Sequence, residues 1–427
     1  MKNAASLPVY IVFCLSGCQQ DYTIQQAVSG TQAAKSGVPT VSAPGNSAAS
    51  SLSVTSVSSD GMLARVHGTS FLLDDGRVFT AGGWDGAILA SPPQIYDLSK
   101  RTWTSHNSGL SSDLLMGFTL LKDGRVLAVG GANYDARKGF VPDEGCPTYI
   151  YDSKLDVWSS VSPFPGGGLT SPALITLPDG RVAMFGGRKA DLTFSTRVSV
   201  YDPSTNSWTT GPDASAQLES GAYFNQVSNF SPIAGTTNIL AVYSYAIVGE
   251  ASQIRNRSLV FDAKRLRWSA DGPALFPDGL ILESSIVPMP DGQVVLIGSI
   301  LTSVENRWIN EIYDPSARTW TAGATPHGLP PRRSVSIALP GRRIWIGGGF
   351  SQVDRSTLAA TDRAQIYDLY ADSFVDTPSL ASARYDHSAV ALAGGSQLLV
   401  TGGFSAFVQS SSTNALKSAL LINVGTP

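Results

Sequence analysis

Apolar and polar positions alternate in short bursts along most of the chain, and the bursts recur. The stretch "LLDDGRVFTAGG" (Leu72–Gly83) returns as "LLKDGRVLAVGG" (Leu120–Gly131) and as "LPDGRVAMFGG" (Leu177–Gly187). Each apolar run is four to five residues long, too short for a helix and right for a strand, and it is bounded by Gly and Asp. Asp-Gly-Arg predicts a tight hairpin turn, because Gly and Asp tolerate positive φ. The preceding run (Thr69–Leu73, Ala173–Leu177, Ala389–Leu392) is one strand and the following run (Val78–Ala81, Val126–Val129) its partner. The glycine pair ends the second strand where backbones crowd.

The second glycine position falls at Gly83, Gly131, Gly187, Ser244, Ser299, Gly349 and Gly403, in steps of 48, 56, 57, 55, 50 and 54 residues. An aromatic-Asp pair follows in six copies, with another aromatic six residues beyond the aspartate: Asp97 and Trp103, Asp152 and Trp158, Asp202 and Trp208, Asp262 and Trp268, Asp314 and Trp320, Asp368 and Phe374. "Ile-Tyr-Asp" reads as a third strand and the Trp as the opening of a fourth, its ring filling the gap between neighbouring sheets. Recurrence in nearly every unit assigns these residues to structure, since a catalytic group is needed once.

Four strands per unit of about fifty residues resemble kelch repeats, which build β-propellers. The resemblance spans Val54 to Val424 and implies an all-β, seven-bladed kelch-type propeller with four-stranded blades. Copy four has lost both glycines and copy six carries Phe374 in place of Trp, so irregular blades are expected there. The seventh copy supplies three strands. Counting 29 residues back from Gly83 reaches Val54, so Ser51–Val57 is expected to complete blade seven beside Leu420–Val424 and hide two sheet edges.

Ahead of the repeats, Lys2 and the apolar stretch Leu7–Leu15 read as a targeting segment, too short for a permanent membrane span. It ends in Leu15-Ser16-Gly17-Cys18, which resembles the lipobox of bacterial lipoproteins. The resemblance implies cleavage of residues 1–17, lipidation of Cys18, and, with Gln19 rather than Asp next, anchoring at the bacterial outer membrane, on its periplasmic or its surface side. Residues 18–50 are rich in Ser, Ala, Gln, Thr and Gly and are read as a flexible tether; residues 51–427 form the folded body. A lipidated Cys18 leaves Cys146 as the one thiol of the mature chain, so no disulfide within it is expected.

The formal net charge of −3 argues against a partner that is nucleic acid, which requires a basic face. No close His/Cys pair suggests a metal, and no phosphate loop or nucleophile elbow is present, so neither a cofactor nor a catalytic residue is assigned. Kelch copper oxidases are similar in fold but need a Tyr-His pair and a thioether-forming Cys; here no Tyr is followed directly by His. What remains is a set of polar residues where first strands begin, around the mouth of a propeller's channel: Arg65, His67, Glu219, Glu283, Arg332, Arg333, Arg384, Tyr385 and His387. His67 and His387 both lie 16 residues before their glycine position and so read as equivalent. Copies six, seven and one are consecutive around the ring, so their arginines are expected to converge on one sector, where they grip a ligand or pair with aspartates such as Asp386. The expected function is a non-catalytic binding module of the cell envelope, engaging a protein or glycan through its loop face. The alternative is a sugar-active enzyme similar to the bacterial kelch sialic acid mutarotase, with Glu219 or Glu283 acting beside an arginine.

Overall fold

The computed structural model describes residues 52–425 except 86–91, 107–108, 111–113, 136–138, 192, 218–221, 248–253, 271–278, 302–305, 329–330, 354–356, 393 and 407–413. The leader, Cys18, the tether and Glu219 therefore lie outside the described residues. Seven four-stranded antiparallel sheets form the blades of a propeller. Blade one runs Thr69–Leu72, Val78–Ala81, Gln94–Asp97, Thr102–Ser105, and blades two to six repeat that order from the axis outwards. The first strands of neighbouring blades touch around the axis, including those of blades seven and one.

Each sheet is buried on both faces, so the core is a ring of seven apolar layers, one between each pair of neighbouring blades. The layer between blades seven and one, which closes the ring, holds Met62, Val78, Trp103, Val390, Leu399 and Ala419. Ser53–Val57 pairs antiparallel with Ala419–Asn423, Val54 opposite Ile422, and supplies the fourth strand of blade seven as the repeat count predicts. Val54 packs on the layer toward blade six and Val57 on the layer toward blade one, as the two-residue period of a strand requires.

The repeated residues have repeated tasks. In the Asp-Gly-Arg turns Asp75, Asp123 and Asp179 each accept the backbone N–H two residues on and pair with the turn's own arginine at 2.7 Å. Asp97, Asp152, Asp202, Asp262, Asp314 and Asp368 cap the third-strand turns in the same way, each accepting the N–H of the residue two beyond it at 2.7–3.0 Å. The third-strand and fourth-strand aromatics sit directly opposite each other, their rings 4.6–5.2 Å apart. Trp103 donates to Ser58 O, Trp208 to Ser162 O and Trp268 to Pro212 O, each reaching chain that belongs to, or leads from, the preceding blade.

The glycine pairs stand where a blade meets the next. Gly131, Gly349 and Gly403 donate their N–H groups to Leu169 O, Arg384 O and Arg65 O of the following blade. Gly83 has φ +71°, and a Cβ there would overlap the Val66 carbonyl.

Blade four is irregular as expected: its first two strands pair through two register shifts, and blade five carries one as well. Without the glycine pair the ladder does not stop: Asn238–Ile247 and Ile254–Asp262 stay paired past Ser244, up to Ala246 opposite Ile254. Three residues beyond Ser244 extend the blade by about 10 Å on one face of the disc. Ser244 Oγ replaces the lost main-chain link, accepting the N–H of Ile281 in blade five at 3.0 Å and donating to Asn256 Oδ1 at 2.6 Å. Blade six, in contrast, corrects the expectation: its strands pair without a register shift, with Phe374 stacked on Tyr367 at 4.6 Å. Among the described residues no helix is long and apolar enough to cross a membrane.

Breaking the closing strand should be costly. Val54→Asp puts a charge between the blade six and seven sheets and is expected to lower unfolding free energy by about 1–3 kcal/mol, whereas Ser56→Asp, exposed on the same strand, should change it little. Denaturant titration of the two variants checks this; equal stability would show that the strand does not close the ring.

Candidate functional site

The two faces of the disc differ in kind. One carries the hairpin turns, whose charges are paired within the turn or, for Arg342 and Asp291 at 3.0 Å, with the neighbouring blade. The other carries the starts of the first strands and the loops after the glycine pairs. Here the blades cease to be copies: blade two adds the hairpin Ala132–Asp135 with Gly139–Pro142, blade six adds Phe350–Gln352 with Leu358–Ala360, and blades four and five add their longer strands.

Isolated bridges continue the inner hairpin beyond the glycines: Val66 with Trp84, Thr170 with Arg188, Arg332 with Phe350, Tyr385 with Phe404. The residue after each inward bridge partner adopts a left-handed backbone: His67 (φ 55°), Ser171 (52°), Arg333 (54°) and Asp386 (53°), with Leu115 (54°) matching them in blade two. These five positions are equivalent. Main-chain bonds link them around the axis, His67 N–H to Asp386 O at 3.0 Å and Ser171 N–H to Leu115 O at 2.6 Å.

That equivalence corrects the pairing of His67 with His387. The seventh hairpin turn is one residue longer, with Leu392 N–H closing on Gln397 O where Leu73 closes on Arg77 O, so Asp386 rather than His387 occupies the position of His67. Arg333, Asp386 and His67, from blades six, seven and one, meet there: Arg333 Nη1 lies 2.8 Å and His67 Nε2 3.3 Å from the same oxygen, Asp386 Oδ2. The expected convergence of arginines from the three blades is not seen: among Arg65, Arg333 and Arg384 only Arg333 reaches this point, where it pairs with Asp386. Arg332 lies half-buried with its guanidinium 5.1 Å from the centre of the Phe350 ring.

The other candidates are placed differently. Arg65 and Arg384 are buried, 4% and 0% exposed, and hold the interior of their own blades rather than the mouth. Arg65 donates to Gly82 O and Pro92 O; Arg384 donates to Gly402 O at 3.0 Å, Ser382 Oγ at 3.0 Å and Ser418 Oγ at 3.3 Å. Both arginines therefore cap the carbonyl of the first glycine of their pair. Burial brings the Arg384 guanidinium down to about 10. His387 is also interior, beside Gly348 and Gly403, and neither ring nitrogen has a hydrogen-bond partner. Tyr385 is buried with its ring 5.2 Å from Phe350, and burial pushes its phenol up to about 12. Glu283 belongs to the first strand of blade five, at the register shift between Leu282 and Ser285. Cys146 is fully buried, and desolvation pushes its thiol up to about 12, away from the reactive thiolate. Among the described residues no group of three or more His, Cys, Asp or Glu is placed to hold a metal ion.

The burial of His387 sets a pH dependence. Desolvation first, and the Arg384 charge second, push its imidazole down from 6.5 to about 3. The unfolded chain takes up a proton below pH 6.5 and the folded chain does not, so this residue's contribution is intact above that value and is lost as pH falls toward 3. His387→Leu, which forfeits no hydrogen bond, is expected to flatten the stability curve across that window. Denaturant midpoints at a series of pH values test this, and parallel curves for the two proteins would contradict it.

Comparison with known proteins agrees with this architecture. The model of the kelch motif matches residues 170–214, the end of the blade-two to blade-three connection and most of blade three. No curated protein matches the chain significantly. Among solved structures it is similar to a fungal alcohol oxidase of the AA5 family in complex with copper, at 15% identity and a TM-score of 0.62, covering 87% of this chain and 75% of that one. At that identity the likeness is one of fold. The chain is a seven-bladed β-propeller whose third blade carries a kelch motif.

Proposed function

We propose that the propeller is a non-catalytic binding module that engages a protein or carbohydrate ligand through its loop face. The observation that carries this is the contrast between the faces. On the turn face the Asp-Gly-Arg turns of blades one to three each spend their carboxylate on their own arginine, and Asp291 of blade five pairs with Arg342 of blade six. The loop face instead differs from blade to blade and gathers three polar side chains from three blades around Asp386. Loops of varied sequence on a rigid scaffold are where recognition concentrates. Of the triad, Arg333 keeps part of its surface in solvent, while Asp386 and His67 are buried behind it and fix its position.

The proposal includes the place of action. The Leu-Ser-Gly-Cys motif ending at Cys18 supports lipidation and attachment to a bacterial outer membrane, with residues 18–50 as tether. Several acyl chains, at about 0.8 kcal/mol per buried CH₂, give a stable anchor. Cys18→Ser should move the protein from the membrane pellet to the soluble fraction.

Retention of the folded body, residues 51–427, on immobilised envelope fractions tests the binding face. The double variant Arg332→Ala/Arg333→Ala should be retained about tenfold less well, the loss of a charge-assisted contact or two. Arg125→Ala, on the turn face, should behave as the parent. Equal retention of all three would overturn the assignment of the face.

A further inference from the structure

The loop face holds a second feature that the ion triad does not explain. In blades one, six and seven the residue straight after the glycine pair is aromatic: Trp84, Phe350 and Phe404. Tyr385 bridges Phe404, and Phe140 comes from the added hairpin of blade two. The rings touch in series. Phe140 lies 6.1 Å from Trp84, Trp84 6.3 Å from Phe404, Phe404 5.4 Å from Tyr385 and Tyr385 5.2 Å from Phe350. The row thus crosses blades two, one, seven and six without a gap. None of the five rings belongs to the seven apolar layers of the core. Phe350 and Tyr385 are buried beneath the row, while Trp84, Phe140 and Phe404 each keep part of their surface in solvent.

We propose that this row binds a neutral carbohydrate chain; the proposal rests on the loop face being the binding face. Aromatic faces carry the negative lobe of a quadrupole, and a sugar ring offers a face of weakly positive C–H groups with hydroxyls around its edge. A platform of half-exposed rings bordered by polar side chains matches both parts of a sugar. The charges along the row select for neutrality. Arg333 is compensated by Asp386 at 2.8 Å, and Arg332 beside Phe350 is offset by Asp85 beside Trp84. Side chains of both signs thus stand along the row, which suits hydroxyls that both donate and accept. The three rings that reach solvent, Phe140, Trp84 and Phe404, lie on three consecutive blades, two, one and seven, which calls for a chain of several sugar units.

The test uses the full-length chain in a detergent that contains no sugar, titrated with cellohexaose, chitohexaose and maltohexaose, and with polygalacturonate as the charged comparison. Saturable binding of at least one neutral hexamer is expected, followed by calorimetry. Trp84→Ala and Phe404→Ala should each weaken it about tenfold, the effect of losing one stacked ring. Tyr370→Ala, which removes an exposed aromatic outside the row, should leave it unchanged. Phe140→Ala, at the far end of the row, serves where a central variant fails to reach the parent's unfolding midpoint. Absence of binding to all three hexamers, a preference for polygalacturonate, or binding indifferent to the ring substitutions would overturn the proposal. If the hexamers fail while envelope fractions still retain the propeller through Arg332 and Arg333, the carbohydrate class falls and the binding face stands; if neither holds, both fall.

Discussion

Gly403 donates its main-chain N–H to Arg65 O, Gly349 to Arg384 O and Gly131 to Leu169 O, and each bond passes from one blade to the next. Such bonds need two backbones close enough that no side chain fits between them, and the glycine pair provides that. Much else follows from this approach distance. It sets the gap that the third- and fourth-strand aromatics fill further out. It leaves the first glycine's carbonyl facing inward, where Arg65 and Arg384 satisfy it in blades one and seven. It ends the second strand, so that the chain leaves the sheet on the loop face. Where the pair is absent, Ser244 reaches across with a hydroxyl in place of a main-chain group, and the strands run on.

A ring of blades fixed in this way is stiff at its centre and free at its outer loops. Four of the five left-handed positions around the axis are tied in pairs through main-chain bonds, His67 to Asp386 and Ser171 to Leu115, so the side chains they carry are positioned by the scaffold and not by their own contacts alone. Arg333, Asp386 and His67 gain their mutual geometry from three blades whose relative placement the core layers enforce. A ligand meeting them finds side chains whose ordering cost has already been met on folding.

The repeat was legible because it was repeated. Gly-Gly, Tyr-Asp and the aromatic six residues on fix blade number and strand order, and the missing fourth strand of the last copy points to Ser53–Val57 as its replacement. What spacing could not show was side-chain destination. Arg65, Arg333 and Arg384 look alike in sequence, yet two cap a carbonyl inside the blade and one pairs with Asp386. The difference lies in a positive-φ residue that turns Arg333 toward the mouth, two positions beyond the equivalents of Arg65 and Arg384. His387 matched His67 by counting from the glycines, and one extra residue in the turn before Gln397 shifted the true match to Asp386. The aromatic after the glycine pair was present in the text at Trp84, Phe350 and Phe404, but three copies in seven give a weak signal until the ring shows that those copies are neighbours.

That adjacency separates the loop face from decoration. Blades six, seven and one are consecutive only because the chain closes on itself, and it closes through a strand drawn from the other end of the sequence. The row from Phe350 to Trp84 and the triad around Asp386 both straddle that seam. Opening the seam, by unpairing Ser53–Val57 from Ala419–Asn423, would part Asp386 from His67 and Phe404 from Trp84 and leave blade seven with three strands. On the proposed reading, binding by this face and closure of the ring are coupled: a ligand that spans the seam adds contacts across it, and so stabilises the closed form in proportion to its occupancy.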